Sequence, residues 1–166
     1  MQFIPAYSNG QEPFGSSYVS DAAYYPGVTP TSAADFAICK LYTSLGTNIG
    51  YMGNVAYYSD TSYTNGTVTF GDVIYDPGTL SGEFPVFNDV TVLNVVDNGN
   101  AKLLESIPIN LENGGSGILW TDDPTYGDAV AGVFSGLEQT KAGAEDAGWA
   151  GGPLMVTLIS WGWANY

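Results

Sequence analysis

The 166-residue sequence predicts a mainly β protein, an antiparallel sandwich or jelly-roll-like barrel with one or two short helices and an extended N-terminal arm. Three observations predict this class. Apolar and polar residues alternate in several short runs, turn residues separate these runs, and helical spacing is confined to two segments. By count the class is α+β, with about six or seven strands beside the helical segments.

Residues 1–31 combine four prolines and several glycines with spaced aromatic residues, and they follow neither a strand period nor a helix period. Disordered segments are poor in aromatic residues, so we interpret this stretch as an extended arm that lies along a surface. Residues 32–166 are predicted to form a single β-rich domain, because no linker divides them.

Two segments have helical spacing. In residues 32–46, Ser32 occupies a capping position, apolar residues follow at i, i+3, i+4 and i+7, and Gly46 stands at the end. In residues 124–140, Pro124 stands at a helix start and apolar residues repeat similarly, although three glycines weaken the pattern. We expect a short helix in each segment.

The remaining runs predict strands. Asn65-Gly66 and Asn98-Gly99 each interrupt an alternating pattern, as type I′ hairpin turns do. The run "GSGILW" indicates a further short strand, and Pro108 places its own strand at an edge or a bulge. Residues 151–166 carry apolar residues on both sides of an alternation, which favours a closing strand buried on both faces.

Charge excludes several classes of function. The chain has 3 basic residues, all lysine, against 17 acidic ones, for a net charge of -14. Nucleic-acid binding requires Lys and Arg that neutralise phosphates, so it is excluded, and anionic membrane surfaces are disfavoured. No apolar run reaches transmembrane length and no secretory signal is recognised, so we predict cytoplasmic synthesis without membrane insertion.

The residues of common catalytic systems are missing. The sequence has no histidine, so we expect no Ser-His-Asp or Cys-His system and no ordinary zinc site. Cys39 is interpreted as a small buried hydrophobe, and "NGGSG" at 113–117 as a tight turn. We predict no catalytic residue, no cofactor and no enzymatic activity. If the chain is nevertheless an enzyme, a glycosidase that uses carboxylates alone is the candidate, and it ranks third, behind the two non-enzymatic functions given below.

Two polar clusters leave alternatives open. Carboxylates near residue 122 either cap the following segment, which is the favoured interpretation, or hold calcium. A tyrosine cluster near residue 57 is a platform for a protein partner, which is favoured, or for a sugar ring. The candidate calcium ligands are Asp122, Asp123 and Asp128, and the candidate platform residues are Tyr57, Tyr58 and Tyr63.

Both ends of the sequence are aromatic and uncharged. No charged side chain precedes Glu12 and none follows Asp146. Protein interfaces favour Tyr and Trp and disfavour Lys and Glu. We therefore predict interface residues at both ends: Phe3, Ile4, Tyr7, Phe14, Trp161, Trp163 and Tyr166.

Together these features predict a structural protein of a virus particle: an outer capsid decoration, cement or minor capsid protein of a bacterial or archaeal virus. Its predicted partners are copies of itself, as a trimer, and a major capsid protein or another virion subunit. Its predicted location is the virion, after synthesis in the host cytoplasm. A shell-forming jelly-roll subunit is a variant of this prediction, and the alternative function is a carbohydrate-binding module or lectin-like domain.

Overall fold

A computed structural model describes residues 1–7, 9–27, 33–56, 69–75, 85–106, 116–121, 128–139 and 145–166. Within these residues the chain forms two β-sheets and two short helices. All strand pairings are antiparallel except one short parallel pair. The prediction of a mainly β, largely antiparallel protein is confirmed, whereas a sandwich or jelly-roll-like barrel remains a finer prediction that these pairings do not establish.

The smaller sheet is built from the first strands of the chain. Its order is β1-β2-β3, and both pairings are antiparallel. The backbone N–H of Thr43 donates to Ser17 Oγ over 2.9 Å, which ties the end of the sheet to the following loop. The strands are β1 (Gln2–Phe3), β2 (Ser17–Tyr24) and β3 (Ala37–Leu41).

The larger sheet has seven strands in the order β10-β7-β6-β5-β8-β9-β4. Because β10 also pairs with β9, each strand other than β4 has neighbours on both sides. Its strands are β4 (Gly53–Asn54), β5 (Thr69–Tyr75), β6 (Pro85–Asn98), β7 (Ala101–Ser106), β8 (Ser116–Thr121), β9 (Ala129–Gln139) and β10 (Glu145–Gly151).

The core of the larger sheet centres on Trp149 of β10. Trp149, Leu104 and Leu119 are completely or almost completely buried. The Trp149 ring meets Phe134 edge to face, with ring centroids 5.5 Å apart. Such contacts add to the stabilisation that burial of the rings already provides.

The hairpin predicted at Asn98-Gly99 is confirmed. Asn98 pairs with Ala101 across a two-residue turn, and Gly99 has φ +65°, a conformation that glycine adopts without strain. The strand predicted in "GSGILW" is confirmed as β8. The Asn65-Gly66 hairpin and Pro108 lie outside the described residues.

Both predicted helices are wrong. The segment 32–46 contains the strand β3, followed by a four-residue helix, α1 (Gly46–Ile49). The segment 124–140 contains the strand β9. In β9, a Cβ atom on Gly132 would lie 3.2 Å from both Ala150 O and Trp149 Cβ. The glycine that weakened the helical pattern therefore lets two strands approach closely.

The predicted closing strand is also wrong, because the chain ends in a helix, α2 (Pro153–Asn165). Gly152, at φ +83°, ends the last strand, and Pro153 occupies a first-turn position where its missing N–H costs nothing. Met155, Leu158 and Gly162 are the buried residues of α2. A short apolar run does not distinguish a buried strand from a buried helix by periodicity.

The division into an arm (1–31) and a domain (32–166) stays a prediction. Residues 17–24 of the predicted arm form β2, the central strand of the smaller sheet. In the described part of the chain, no helix is long and apolar enough to cross a membrane.

Candidate functional site

A half-buried carboxylate meets a serine at the junction of the two sheets. Ser135 Oγ donates a hydrogen bond to Asp35 Oδ2 at 2.9 Å, although the residues are 100 positions apart in the sequence. Asp35 lies two residues before β3, and Ser135 lies in β9. A hydrogen bond to a charged acceptor is stronger than a neutral one, so this contact fixes the carboxylate relative to the larger sheet.

A β-bulge directs Ser135 out of the sheet ladder. Between β9 and β10, Gly136 pairs with Gly148 but Phe134 pairs with Trp149, so Ser135 is the extra residue on β9. Bulges re-aim a side chain relative to its sheet and are common beside active sites. The bulge therefore accounts for the Ser135 hydroxyl reaching a residue of the segment that precedes β3.

The backbone around Asp35 is held by its neighbour Phe36. Phe36 is buried against the apolar side of α2, and its N–H donates to Ala34 O at 2.9 Å. Tyr25 meets the Phe36 ring edge to face at 6.0 Å, and its hydroxyl donates to Leu154 O at 3.4 Å. Asp35 is consequently presented from a packed segment rather than from a loose loop.

A cavity of about 390 Å³ opens beside the Asp35 carboxylate. Among the described residues that line it, Asp35 is the only charged one. The faces of aromatic rings and a carboxylate both carry negative electrostatic potential. A cavity with both is therefore suited to a cation. The remaining lining residues are Tyr24, Tyr25, Gly27, Ala34, Phe36, Ala37 and Val133.

The register of β8 against β9 places the backbone of a second serine, Ser116, near the level of Ser135. β8 and β9 are antiparallel, and Ile118 of β8 pairs with Val133 of β9. Continued by two residues, this register places the backbone of Ser116 level with Ser135. Ser116 is the first residue of β8, and its backbone also pairs with Tyr75 of β5. Asp35, Ser135 and the start of β8 therefore lie at one end of the β8–β9 pair.

The described lysines are engaged elsewhere. Lys40 Nζ lies over the Tyr166 ring, 5.4 Å from its centroid. Lys102 is buried against Gly152, where α2 begins. Lys141 lies outside the described residues. Among the described residues, the charge at the junction of the sheets is that of a carboxylate.

The residues predicted as an interface fall into two groups at the two ends of the chain. Phe3, Tyr7 and Phe14 are exposed and Ile4 is half-buried near the smaller sheet. On α2, Trp161 and Trp163 are exposed, while the half-buried Tyr166 meets the Trp161 ring at 5.4 Å and Tyr51 meets that of Trp163 at 6.0 Å. Their role as an interface stays a prediction, as do the partners.

The other predicted sites fall largely outside the described residues. Tyr57, Tyr58, Tyr63, Asp122 and Asp123 are among the residues that are not described. Asp128 is described and is exposed just before β9. Where the chain is described, no group of three or more His, Cys, Asp or Glu side chains is arranged to hold a metal ion.

No sequence pattern predicts this site. The patterns place Asp35 in a helix and the glycines before Ser116 in a tight turn. No local pattern joins Asp35 to Ser135, because the contact spans 100 residues. The usable signal was the glycine pair that precedes Ser116, since glycines let a backbone approach a ligand closely.

Comparison with known proteins gives a fold but no family. No family model matches the chain, and no curated protein matches it. Among solved structures, a Glu endopeptidase in complex with MPD matches with a TM-score of 0.67 at 21% sequence identity. The match covers 99% of this chain and 72% of that chain. This chain therefore has the fold of that endopeptidase, and part of the endopeptidase chain has no counterpart here.

This match contradicts the predictions of a virion protein and of a protein without enzymatic activity. The fold is that of a peptidase, and nothing points to a capsid or a phage. The absence of histidine excludes only the histidine-dependent chemistry that these 166 residues would perform unaided. It does not exclude a site to which another polypeptide segment contributes.

Proposed function

We propose that this chain forms the greater part of an endopeptidase that cleaves peptide bonds through an acyl-enzyme. The observation that carries the proposal is the Ser135–Asp35 hydrogen bond within the fold of a Glu endopeptidase, at the end of the β8–β9 pair where β8 begins. Serine nucleophiles recur beside an oriented base and a carboxylate on unrelated folds, so the arrangement of groups supports the chemistry more strongly than the fold does.

Ser116 is the proposed nucleophile and Asp35 the carboxylate that orients the base. Ser116 follows Gly114 and Gly115, and backbone N–H groups in such a segment suit the oxyanion of a tetrahedral intermediate. In the reaction, the serine oxygen bonds to the substrate carbonyl carbon while the base takes the hydroxyl proton. The base then returns that proton to the leaving amine, and water hydrolyses the acyl ester.

The base of this system is a histidine that the chain itself does not supply. The 166 residues contain none, and part of the matched endopeptidase chain has no counterpart in them. The cavity beside Asp35 has the volume, the aromatic walls and the carboxylate that suit an imidazole ring. We therefore place the imidazole in this cavity, contributed by a polypeptide segment outside these residues.

A strand edge on β9 provides a substrate-binding surface. β8 accompanies β9 only as far as Val133, whereas β10 continues to Gln139. Among the described residues, Gly136 and Leu137 therefore present an edge that faces away from β10 and has no strand partner. An extended peptide binds such an edge by adding a strand, which aligns its carbonyl groups with a nearby nucleophile.

Chemical rescue tests the proposal directly. Free imidazole would stand in for the missing side chain as the general base, and hydrolysis of a panel of blocked amino-acid p-nitrophenyl esters would be followed by absorbance at about 400 nm. The expected result is a rate above that of imidazole alone, which saturates as imidazole fills the cavity. Ser116→Ala should abolish this excess, and Asp35→Asn should reduce it about 10²-fold or more, as expected for loss of an oriented general base.

Ser44→Ala is the matched control, since Ser44 is exposed and hydrogen-bonds only locally, to Thr47, at 3.2 Å. It should retain the full excess rate. Equal rates for the unmodified chain and Ser116→Ala at every imidazole concentration would overturn the proposal.

A further inference from the structure

One oxygen of the Asp35 carboxylate is available to a ligand of the cavity beside it. Ser135 Oγ donates to Oδ2 at 2.9 Å, and no described residue donates to Oδ1. The carboxylate lines the cavity of about 390 Å³ together with Tyr24, Tyr25 and Phe36. Hydrogen bonds to a carboxylate are stronger than those between neutral groups. Oδ1 is therefore a strong acceptor for the N–H group of a ring that enters this aromatic cavity.

No part of the chain supplies an imidazole to the cavity. The whole sequence of 166 residues lacks histidine, and this includes every undescribed residue, such as residues 28–32, which follow Gly27 of the cavity lining. No placement of the undescribed residues can therefore bring a histidine to Asp35. The imidazole that the proposed reaction requires has to arrive with another molecule.

The cavity lies beside the surface on which the substrate is proposed to bind. Val133 of β9 lines the cavity, and the strand edge at Gly136 and Leu137 begins three residues further along β9. A strand rises about 3.3 Å per residue, so the edge begins within about 10 Å of the cavity lining. A peptide that adds to this edge consequently carries some of its side chains past the mouth of the cavity.

We propose that the substrate itself carries the base, so that this chain cleaves peptides that place a histidine of their own in the cavity beside Asp35. The inference rests on the proposed function and names the substrate class of the same site. The substrate is the one molecule that the proposed reaction brings to the β9 edge in every turnover. Its side chains alternate in direction when it is extended, so one of two neighbouring positions faces the cavity.

The substrate histidine serves both halves of the reaction. Its Nδ1–H donates to Asp35, and its Nε2 takes the Ser116 proton as the serine oxygen bonds to the carbonyl carbon. The imidazolium gives this proton to the leaving amine as the C–N bond breaks. Nε2 then takes a proton from water as the water oxygen bonds to the acyl carbon, and returns it to the serine oxygen as the ester bond breaks. The histidine therefore belongs to the acyl side of the substrate, which stays attached until this last step.

Moving a histidine along a short substrate tests the inference. The substrates are the blocked p-nitrophenyl ester of tri-alanine and three isomers in which histidine replaces one alanine. Release of p-nitrophenol would be measured in buffer without imidazole, and the rate with Ser116→Ala would be subtracted to remove catalysis by the peptide alone. At least one isomer should react about 10²-fold or more faster than tri-alanine, the usual gain from a positioned general base. The product should exceed one equivalent of the chain, because the histidine also assists deacylation.

Two changes test the contact with Asp35 itself. Methylating Nδ1 of the substrate histidine keeps a basic nitrogen but removes the donor to Asp35, so it should lower the rate as far as Asp35→Asn does. The rate with the active isomer should rise with pH through about 6.5, the ordinary pKa of histidine, because only the neutral imidazole accepts a proton. Ser44→Ala, at an exposed position, is the matched control and should keep the full rate.

Adding free imidazole to the tri-alanine ester separates this inference from the proposed function. If imidazole accelerates that ester through Ser116, but no histidine isomer exceeds tri-alanine without imidazole, the endopeptidase stands and the substrate histidine is refuted. An isomer that reacts equally fast with Ser116→Ala also refutes the substrate histidine, since the peptide then catalyses its own hydrolysis. If neither imidazole nor any isomer gives Ser116-dependent hydrolysis, both proposals are refuted.

Discussion

Ser135 Oγ donates a hydrogen bond of 2.9 Å to Asp35 Oδ2, which joins a one-residue bulge in β9 to the segment before β3. Without the bulge, Ser135 would take its place in the β9–β10 ladder and its side chain would point according to the strand alternation. The bulge thus converts an ordinary strand residue into a support for a carboxylate. The position of Asp35 consequently depends on the geometry of β9 as well as on its own segment.

Ser135→Ala should lower the free energy of unfolding by about 1 to 2 kcal/mol, because it removes a donor to a half-buried carboxylate. Urea denaturation followed by tryptophan fluorescence would measure this. Ser44→Ala, at an exposed site, should change it by less than about 0.5 kcal/mol. If both substitutions lower the free energy of unfolding by the same amount, the Ser135–Asp35 hydrogen bond does not contribute measurably to stability.

Gly151→Ala and Gly162→Ala should lower the free energy of unfolding by different amounts, although each new methyl group meets a close neighbour. On Gly151 the Cβ would collide with the backbone oxygen of Ala131, which cannot move without breaking the sheet. On Gly162 it would collide with Cδ1 of Ile38, the flexible end of a side chain, and alanine is the better helix former by about 1 kcal/mol.

We therefore expect Gly151→Ala to lower the free energy of unfolding by about 3 kcal/mol and Gly162→Ala by less than about 1 kcal/mol. Chemical denaturation would measure both. Ile38→Val should remove most of the cost of Gly162→Ala, as a double-mutant cycle would show. A larger loss for Gly162→Ala than for Gly151→Ala would contradict the packing of α2 on β3.

Trp149 and Trp163 provide a comparison of a buried and an exposed tryptophan. Trp149 is fully buried, whereas Trp163 is 74% exposed. Trp149→Ala should cost about 3 to 5 kcal/mol by opening a cavity in the core of the larger sheet. Trp163→Ala should cost less than about 1 kcal/mol. Thermal denaturation would rank the two variants by their loss of stability. Equal losses would contradict the exposure of Trp163 at the C-terminal end of α2.

The sequence predicted the strands whose signals are local. Asn98-Gly99 has the residues that a tight hairpin needs, and β8 follows directly after a glycine pair. It failed at β3, β9 and α2, where apolar spacing suited either structure and packing decided between them. Phe36 is a case in point, because it is buried by Met155 and Leu158 of a helix more than a hundred residues later.

The candidate site could not be predicted, for a related reason. Asp35 and Ser135 come into contact because a bulge offsets β9 against β10 by one residue. No residue type in the sequence predicts where that bulge occurs. The absence of histidine predicts a protein without enzymatic activity, and the likeness of the fold to an endopeptidase contradicts that prediction.

Tyr166 should ionise at higher pH than an ordinary tyrosine. Burial against α2 and β3 raises its pKa above 10.0, and the negative charges of Asp21 and then Cys39 raise it further, while Lys40 lies over the ring. Below pH 10 both the folded and the unfolded chain keep the proton. Above it the unfolded chain releases the proton first, so the free energy of unfolding should fall as pH rises through the folded pKa.

Absorbance at about 295 nm, where tyrosinate absorbs, would follow this ionisation. Subtracting the titration of Tyr166→Phe from that of the unmodified chain isolates one of the 12 tyrosines. Asp21→Asn should move the isolated curve to lower pH, because it removes a negative charge. Asp128→Asn, at an exposed position before β9, should leave the curve in place. An isolated curve centred at or below the ordinary pKa would show that Tyr166 does not pack between α2 and β3.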